Sequence, residues 1–232
     1  AFFTSCLGYG EDQYEIGECS IADLPRYEDL DGIIILPDTM YLKGLEDRIM
    51  DNIRKYSKCP VVSVRQRTEG CYNVLIKDDT VLDDIIRHFI VDHGYRRINF
   101  LTGPKDNSAA IKRRDAYRRI LEQYGIPYEE DRVYYGDFWK IEPYDAVEYW
   151  LSKPELPEAI ICANDYMAMT VCNALAARGY SVPEDIAVSG CDNITVSEDF
   201  SPSITTAGMP IYEMGMEAVD KIHKHNNGIW QE

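Results

Sequence analysis

The stretch AIICANDYMAMTVCNALAARGYSVPEDIAVSGCDN, residues 159–193, decides the fold of this chain. It begins with a short apolar run, continues as a helical pattern that ends at Gly179, and returns to a second apolar run that ends at Gly190. A strand, a helix and a second strand of these lengths form a βαβ unit, in which the two strands lie parallel. Each apolar run is followed by a polar pair, Asn164–Asp165 and Asp192–Asn193.

The same alternation extends along most of the chain. Strands are predicted at Ala1–Ser5, Asp31–Leu36, Pro60–Val64, Ile98–Thr102, Val133–Gly136, Ala159–Ala163, Ile186–Gly190 and near Thr205–Gly208. Helices are predicted at Lys43–Tyr56, around Val81–Ile90, at Ser108–Tyr124, Tyr144–Leu151, Asp165–Arg178 and Ile211–His223. The strands are continuous apolar runs, which indicates that they are buried on both faces. The predicted fold class is therefore α/β with parallel, doubly wound sheets.

Polar or aromatic residues also follow two earlier strands. Asp106–Asn107–Ser108 comes after the strand that ends at Gly103, and Asp137–Phe138–Trp139 comes after the strand that ends at Gly136. In open α/β sheets, ligands bind just beyond the carboxyl ends of the strands. The sequence therefore predicts that these strand ends form the rim of a pocket.

Composition excludes several functions for this segment. The 40 acidic residues outnumber the 24 basic ones and give a net charge of −16, which argues against contact with nucleic acid. The seven cysteines are odd in number and form no C-x-x-C motif, which favours reduced thiols in a cytoplasmic protein. No apolar run reaches the length of a membrane span, and the N-terminal residues lack the features of a signal peptide.

Arg113 is the first candidate for a ligand contact. It shares a helical stripe with Tyr117, Ile120 and Tyr124, which is the predicted buried face, and it lies close to the strand ends. A guanidinium there offers a planar fork of donors for a carboxylate or for vicinal oxygens. The alternative is a structural ion pair with a neighbouring acid.

The polar pairs supply further candidates, each with a structural alternative. One residue of Asn164–Asp165 suffices to cap the following helix; we expect Asp165 to be the cap and Asn164 to contact the ligand. Asp192 offers a carboxylate to hydroxyl or amine donors, or else stabilises a turn. At least one of Phe138 and Trp139 is expected to line the binding surface, with burial under the next helix as the alternative.

An arginine, an aspartate, an asparagine and an aromatic ring together suit a polyhydroxylated ring or a heterocyclic base. Catalysis has less support, because none of the histidines falls at a strand end and no nucleophile elbow, phosphate loop or dinucleotide fingerprint is present. We therefore expect no enzymatic activity, metal or cofactor, although a catalytic pocket built from carboxylates alone stays open.

Several blocks of the chain, taken in order, resemble the effector-binding domain of the LacI–GalR repressor family, a relative of periplasmic sugar-binding proteins. The matching blocks are DGIIILP (31–37), CPVVSV (59–64), HGYRRINFLTGP (93–104), RRDAYRRIL (113–121), GDF (136–138), ANDYMAM (163–169), GYSVPEDIAVSGCDN (179–193) and PSITT (202–206). One departure is Ala116, where the family often has glycine. Ala1–Ser5 resembles the second strand of the family's first lobe, so the strand and the helix that open that lobe are expected to be missing from this sequence.

The resemblance implies two Rossmann-like lobes that are joined by a hinge and close on a small ligand. The incomplete first lobe would comprise residues 1–65 and 196–232, and the second lobe residues 66–195. Hinge crossings are expected near Val64–Thr68, Asp192–Ser197 and Thr205–Thr206. In the family pattern, the ligand contacts match Arg113, Asn164, Asp192, Phe138 and Asn107.

The implied function is a cytoplasmic sensor that binds a sugar-like or nucleoside-like effector and controls an attached output domain. That output domain would be a DNA-binding head or a signalling module such as a cyclic-dinucleotide synthase. The alternatives are a stand-alone periplasmic sugar-binding protein for transport and an enzyme. No helix-turn-helix precedes the domain in this sequence, so we expect no DNA contact through it. The incomplete first lobe is expected to expose apolar sheet edges, and therefore to pair with another chain, as in a homodimer, or to require the absent segment.

Overall fold

A computed structural model describes residues 20–40, 44–76, 80–138 and 142–229. The chain divides into two units. The first unit comprises Ala1–Ile76 and Pro210–Glu232, and the second unit comprises Lys77–Met209. Ala1–Ser5, for which a strand is predicted, lies outside the described residues.

Strands and helices alternate along most of the described chain as the sequence predicts, and one further strand, Tyr72–Val74, was not predicted. The strands are β1 (Ile33–Ile35), β2 (Val61–Val64), β3 (Tyr72–Val74), β4 (Ile98–Thr102), β5 (Val133–Tyr135), β6 (Ala159–Cys162), β7 (Ala187–Asp192) and β8 (Thr205–Gly208). The helices are α1 (Leu45–Tyr56), α2 (Asp83–Val91), α3 (Ser108–Gln123), α4 (Glu142–Leu151), α5 (Asp165–Ala177), α6 (Thr195–Glu198) and α7 (Ile211–Asn226). Among the described residues, none of the helices combines the length and the apolar character that a bilayer crossing requires.

The first unit contains a three-stranded parallel sheet in the order β1-β2-β3. Helix α1 buries its predicted apolar face, including Leu45, Ile49 and Ile53, in one core cluster with Ile35 of β1. Helix α7 buries Met214 in a second cluster with residues of β2 and β3. The first unit is therefore assembled from two separate pieces of the chain.

The second unit contains a five-stranded parallel sheet in the order β5-β4-β6-β7-β8. The chain runs from β4 to β5 in one direction and then crosses to the other side of β4 to form β6. The strand order thus reverses between β4 and β6, and open α/β sheets bind ligands at the carboxyl ends beside such a switch point. The predicted α/β class with parallel sheets is confirmed.

The boundaries between the units fall later in the chain than the predicted lobe boundaries after residues 65 and 195. β3 pairs with β2, so the first unit extends beyond residue 65, to Ile76. β8 pairs with β7, so the segment up to Met209 belongs to the second unit. A three-residue strand such as β3, with the sequence YNV, is too short and too polar to be read from periodicity alone.

The core of the second unit lies on both faces of its sheet. Trp150 of α4 and Tyr117 of α3 are among its largest fully buried side chains. Tyr117 stacks on Phe100 of β4, and its hydroxyl donates a hydrogen bond to the Ile98 carbonyl at 2.7 Å. Burial raises the pKa of the Tyr117 hydroxyl, so it stays protonated and remains a donor.

Two buried or half-buried carboxylates connect elements of the second unit. Asp83, at the start of α2, accepts two hydrogen bonds from Arg119 of α3, at 2.8 and 3.1 Å. Glu158, just before β6, accepts hydrogen bonds from the amides of Arg96 and Arg97, at 2.8 and 2.9 Å, and thereby holds the start of β4. Burial alone would raise the pKa of the Glu158 carboxyl, but these amides and the nearby guanidinium of Arg97 lower it overall.

We predict that Glu158→Gln destabilises the protein by about 1–2 kcal/mol at pH 7, because the amide loses charge-assisted hydrogen bonds. A lowered folded-state pKa stabilises the protein above the unfolded-state value of about 4.3, and this gain is lost as the pH falls through the folded-state value. Denaturant titrations should therefore show the difference shrinking in acid. Glu155→Gln, at an exposed neighbouring position, is the control; a pH-independent difference for Glu158→Gln would contradict this account.

Candidate functional site

Five of the six predicted ligand contacts lie in the second unit, around the carboxyl ends of its strands. We call this set the strand-end cluster; its members are Asn107, Arg113, Phe138, Asn164 and Asp192. Asn107 follows β4 and Asn164 follows β6, so these two residues flank the switch point of the sheet. The sixth residue, Trp139, lies outside the described residues.

Arg113 supplies the positive charge of the cluster and is buried, with 4% of its surface exposed. Its Nη1 donates a hydrogen bond to the Ala163 carbonyl at the end of β6, and its Nη2 lies 3.3 Å from Asp192 Oδ1 at the end of β7. The ion pair that the sequence leaves open for Arg113 is therefore present. Its acid is Asp192, a second predicted contact, whose side chain stays 26% exposed.

The backbone at this edge adopts a conformation that side chains other than glycine rarely take. Among the described residues other than glycine, φ is positive at Phe138 (71°), at Asp192 (105°), at Asn193 (50°) and at Arg65 (71°) of the first unit. Asp192 ends a strand, Asn193 and Arg65 directly follow one, and Phe138 comes three residues after the end of β5. Such residues persist only where their surroundings hold them, and they concentrate at binding sites.

Asn164, not Asp165, caps helix α5, which corrects the expectation from the sequence. The Asn164 side chain accepts a hydrogen bond from the Met167 amide at 2.8 Å, and its own amide group donates to the Phe138 carbonyl at 3.0 Å. Asn164 therefore connects the loop after β5 to the helix after β6. Its predicted contact with a ligand stays a prediction.

Asp165 is fully buried and bonds away from its own helix. Its carboxylate accepts hydrogen bonds from the Ile194 amide at 2.9 Å and from the Thr206 hydroxyl at 2.5 Å. The sequence analysis missed this role, because an aspartate at a helix start is usually explained by capping. The glycine at position 190 is the one feature of the sequence that reflects this contact, since a Cβ there would lie 2.2 Å from Asp165 Oδ1.

Phe138 is half-buried, and its ring packs closely over the backbone of Gly103, at the end of β4. A Cβ at Gly103 would lie 2.0 Å from the Phe138 Cζ atom, so only glycine leaves room for the ring. The expected contact of Phe138 with a ligand stays a prediction. One side of the ring contacts the core, while the residue keeps part of its surface exposed.

Asn107 caps helix α3, since its side chain accepts a hydrogen bond from the Ala110 amide at 3.0 Å.

Cys191, beside Asp192, is buried, and this burial raises the pKa of its thiol to about 12, although the Arg113 guanidinium acts in the opposite direction. It is therefore a neutral thiol and a poor nucleophile. The described ranges contain no group of three or more His, Cys, Asp or Glu side chains suited to a metal ion.

The first unit has its own polar pair at strand ends, which the sequence analysis did not identify. Asp38 follows β1, Arg65 follows β2, and Arg65 Nε lies 3.0 Å from Asp38 Oδ2. Both side chains are largely buried, at 17% and 7% exposure. The sequence contained a signal, because Arg65 directly follows an apolar run and Asp38 follows another with only Pro37 between them.

Comparisons with known proteins place this geometry in a family. The family model described as periplasmic binding protein-like domain matches residues 86–229. The ribose operon repressor of Escherichia coli (strain K12) is 32% identical over 192 residues, which cover 82% of this chain and 57% of the repressor. The chain thus spans somewhat more than half the length of that relative.

Solved structures agree with this assignment. A sugar-binding transcriptional regulator of the LacI family from Escherichia coli, complexed with phosphate, matches with a TM-score of 0.73 and 26% identity, over 87% of this chain and 71% of that one. A complex of the transcriptional regulator CelR with cellobiose matches with a TM-score of 0.77 and 27% identity, over 95% of this chain and 66% of that one. The chain belongs to the periplasmic binding protein-like domain family, in the form found in LacI-family transcriptional regulators.

Proposed function

We propose that this chain is the effector-binding part of a transcriptional regulator and that it takes a small sugar-like or nucleoside-like molecule. The observation that carries the proposal is the Arg113–Asp192 pair, set at the carboxyl ends of β6 and β7 beside the switch point of the sheet. Relatives whose names refer to ribose and cellobiose support the sugar class.

The chemistry of the strand-end cluster suits such a ligand. Arg113 supplies donors, Asp192 supplies acceptor oxygens for hydroxyl or N–H groups, and both charges are partly desolvated. The Phe138 ring offers an apolar surface against which a sugar or a base can stack. Asn107 and Asn164 remain candidate polar contacts, although each already caps a helix.

Regulation would follow from a difference in affinity between conformations, because a ligand shifts an equilibrium only towards the form that it binds more tightly. As the output domain, the relatives favour a DNA-binding head over a signalling module, and they do not favour a transport protein. We further propose a cytoplasmic homodimer without catalytic activity. In support of the last point, none of the histidines lies at a strand end of the second unit.

Thermal-shift measurements on the full chain test the ligand class. The panel comprises D-ribose, cellobiose, other pentoses and hexoses, nucleosides and purine bases. A ligand at a hundred times its Kd stabilises the folded form by about 2.7 kcal/mol, so a binding compound should raise Tm by several degrees. If no compound in the panel raises Tm at millimolar concentration, the proposed ligand class is wrong.

Removing the Arg113 side chain should abolish most of the affinity. We expect Arg113→Ala to weaken binding of the compound found in the screen by about 2–4 kcal/mol, because it removes a buried, charged hydrogen-bond donor from the proposed site. Isothermal titration calorimetry measures this loss. Arg118→Ala, on the exposed face of the same helix, is the matched control; equal affinities for the two variants would remove Arg113 from the site.

Displacing the Phe138 ring should have a smaller effect. Gly103→Ala places a methyl group where the ring now lies, so we expect the ring to move and affinity to fall roughly 3- to 10-fold, the usual contribution of an aromatic contact. Gly215→Ala, at a helical position with open space around it, is the control. Unchanged calorimetric affinity in Gly103→Ala would show that the ring does not contact the ligand.

A further inference from the structure

We infer that Asp165 is a positioning residue, which holds the turn at residues 192–194 so that the Asp192 carboxylate faces Arg113. The inference rests on the proposed function in so far as Asp192 contacts a ligand. Asp165 itself is fully buried and therefore cannot be a ligand contact in this conformation.

The turn needs such support, because two of its residues lie in the left-handed region. The φ angles are 105° at Asp192 and 50° at Asn193, and neither residue is glycine. A backbone of this kind is retained only where surrounding contacts hold it. Contacts from other parts of the chain are therefore needed to hold the backbone of residues 192–194 in this conformation.

Asp165 provides those contacts with both carboxylate oxygens. Oδ2 accepts a hydrogen bond from the Ile194 amide at 2.9 Å, and Oδ1 accepts one from the Thr206 hydroxyl at 2.5 Å. The same hydroxyl accepts a hydrogen bond from the Asn193 amide at 3.2 Å. Asp165 and Thr206 together bind two successive amides of the turn and join them to helix α5 and strand β8.

Gly190 of β7 leaves the room that the Asp165 carboxylate needs beside the turn. A Cβ at Gly190 would lie 2.2 Å from Asp165 Oδ1 and 3.0 Å from its Cα, so any larger residue there would force the carboxylate away. Capping does not explain Asp165, because Asn164 already binds the free amide of Met167. Burying a charge at this position is costly unless hydrogen bonds compensate it, which these contacts do.

The test compares Asp165→Asn with Asp83→Asn in the full chain. Asp83 is a matched control, since it is also a buried aspartate at the first residue of a helix of the second unit, but it bonds to Arg87 and Arg119 instead of the turn. Both variants should lower Tm. Only Asp165→Asn should weaken binding of the compound found in the thermal-shift panel, by roughly 10- to 100-fold, as loss of a charged hydrogen bond predicts.

Two further comparisons separate positioning from general destabilisation. Thr206→Val should reproduce the loss of affinity, whereas Thr206→Ser, which keeps the hydroxyl, should restore it to within about threefold. In a double-mutant cycle, Asp165→Asn combined with Asp192→Asn should bind no more weakly than Asp192→Asn alone. Equal affinities of Asp165→Asn and Asp83→Asn, or full additivity in the cycle, would overturn the inference.

A measurement without ligand keeps this test independent of the proposed function. Amide hydrogen exchange at Asn193 and Ile194 should be at least tenfold faster in Asp165→Asn than in the unmodified chain and unchanged in Asp83→Asn. If no compound binds but this exchange pattern is found, the ligand class fails and the positioning role stands. If exchange at these two amides is unchanged in Asp165→Asn, the positioning role fails whatever the ligand.

Discussion

The burial of one guanidinium sets the geometry of the second unit's strand ends. Arg113 has 4% of its surface exposed, and a charge in that position destabilises the fold unless its donors are satisfied. The Ala163 carbonyl at the end of β6 accepts a hydrogen bond from Arg113 Nη1, and the Asp192 carboxylate at the end of β7 accepts one from Nη2. Arg113 thus connects helix α3 to the carboxyl ends of β6 and β7. These strand ends are where effectors are expected to bind.

Much of this arrangement could be predicted from the sequence, because its causes are local. The alternation of short apolar runs with helical patterns indicates a parallel sheet, and polar residues after such runs lie at one edge of it by geometry alone. The burial of Arg113 follows from its helical stripe, which it shares with Tyr117 and Ile120. The residues themselves single out the Phe138–Trp139 pair, and the family resemblance adds that Phe138 and Asn107 match ligand contacts.

The parts that sequence reasoning missed depend on backbone angles and on distant contacts. Asn164 caps α5 because its own backbone is extended, with φ −150° and ψ 171°, and residue type alone does not decide between it and Asp165. The hydrogen bonds of Asp165 with Ile194 and Thr206 join residues that are 29 and 41 positions apart, so no local sequence pattern predicts them. The same is true of β3, which becomes a strand only by pairing with β2.

The division of the chain also affects how the protein is made. The second unit is one uninterrupted stretch, whereas the first unit needs α7, which is synthesised after all of the second unit. Contacts such as the one between Asn226 and the Asp31 carbonyl join residues 195 positions apart. The cluster that α7 shares with β2 and β3 therefore joins residues far apart in the sequence, and it cannot form until α7 has been synthesised.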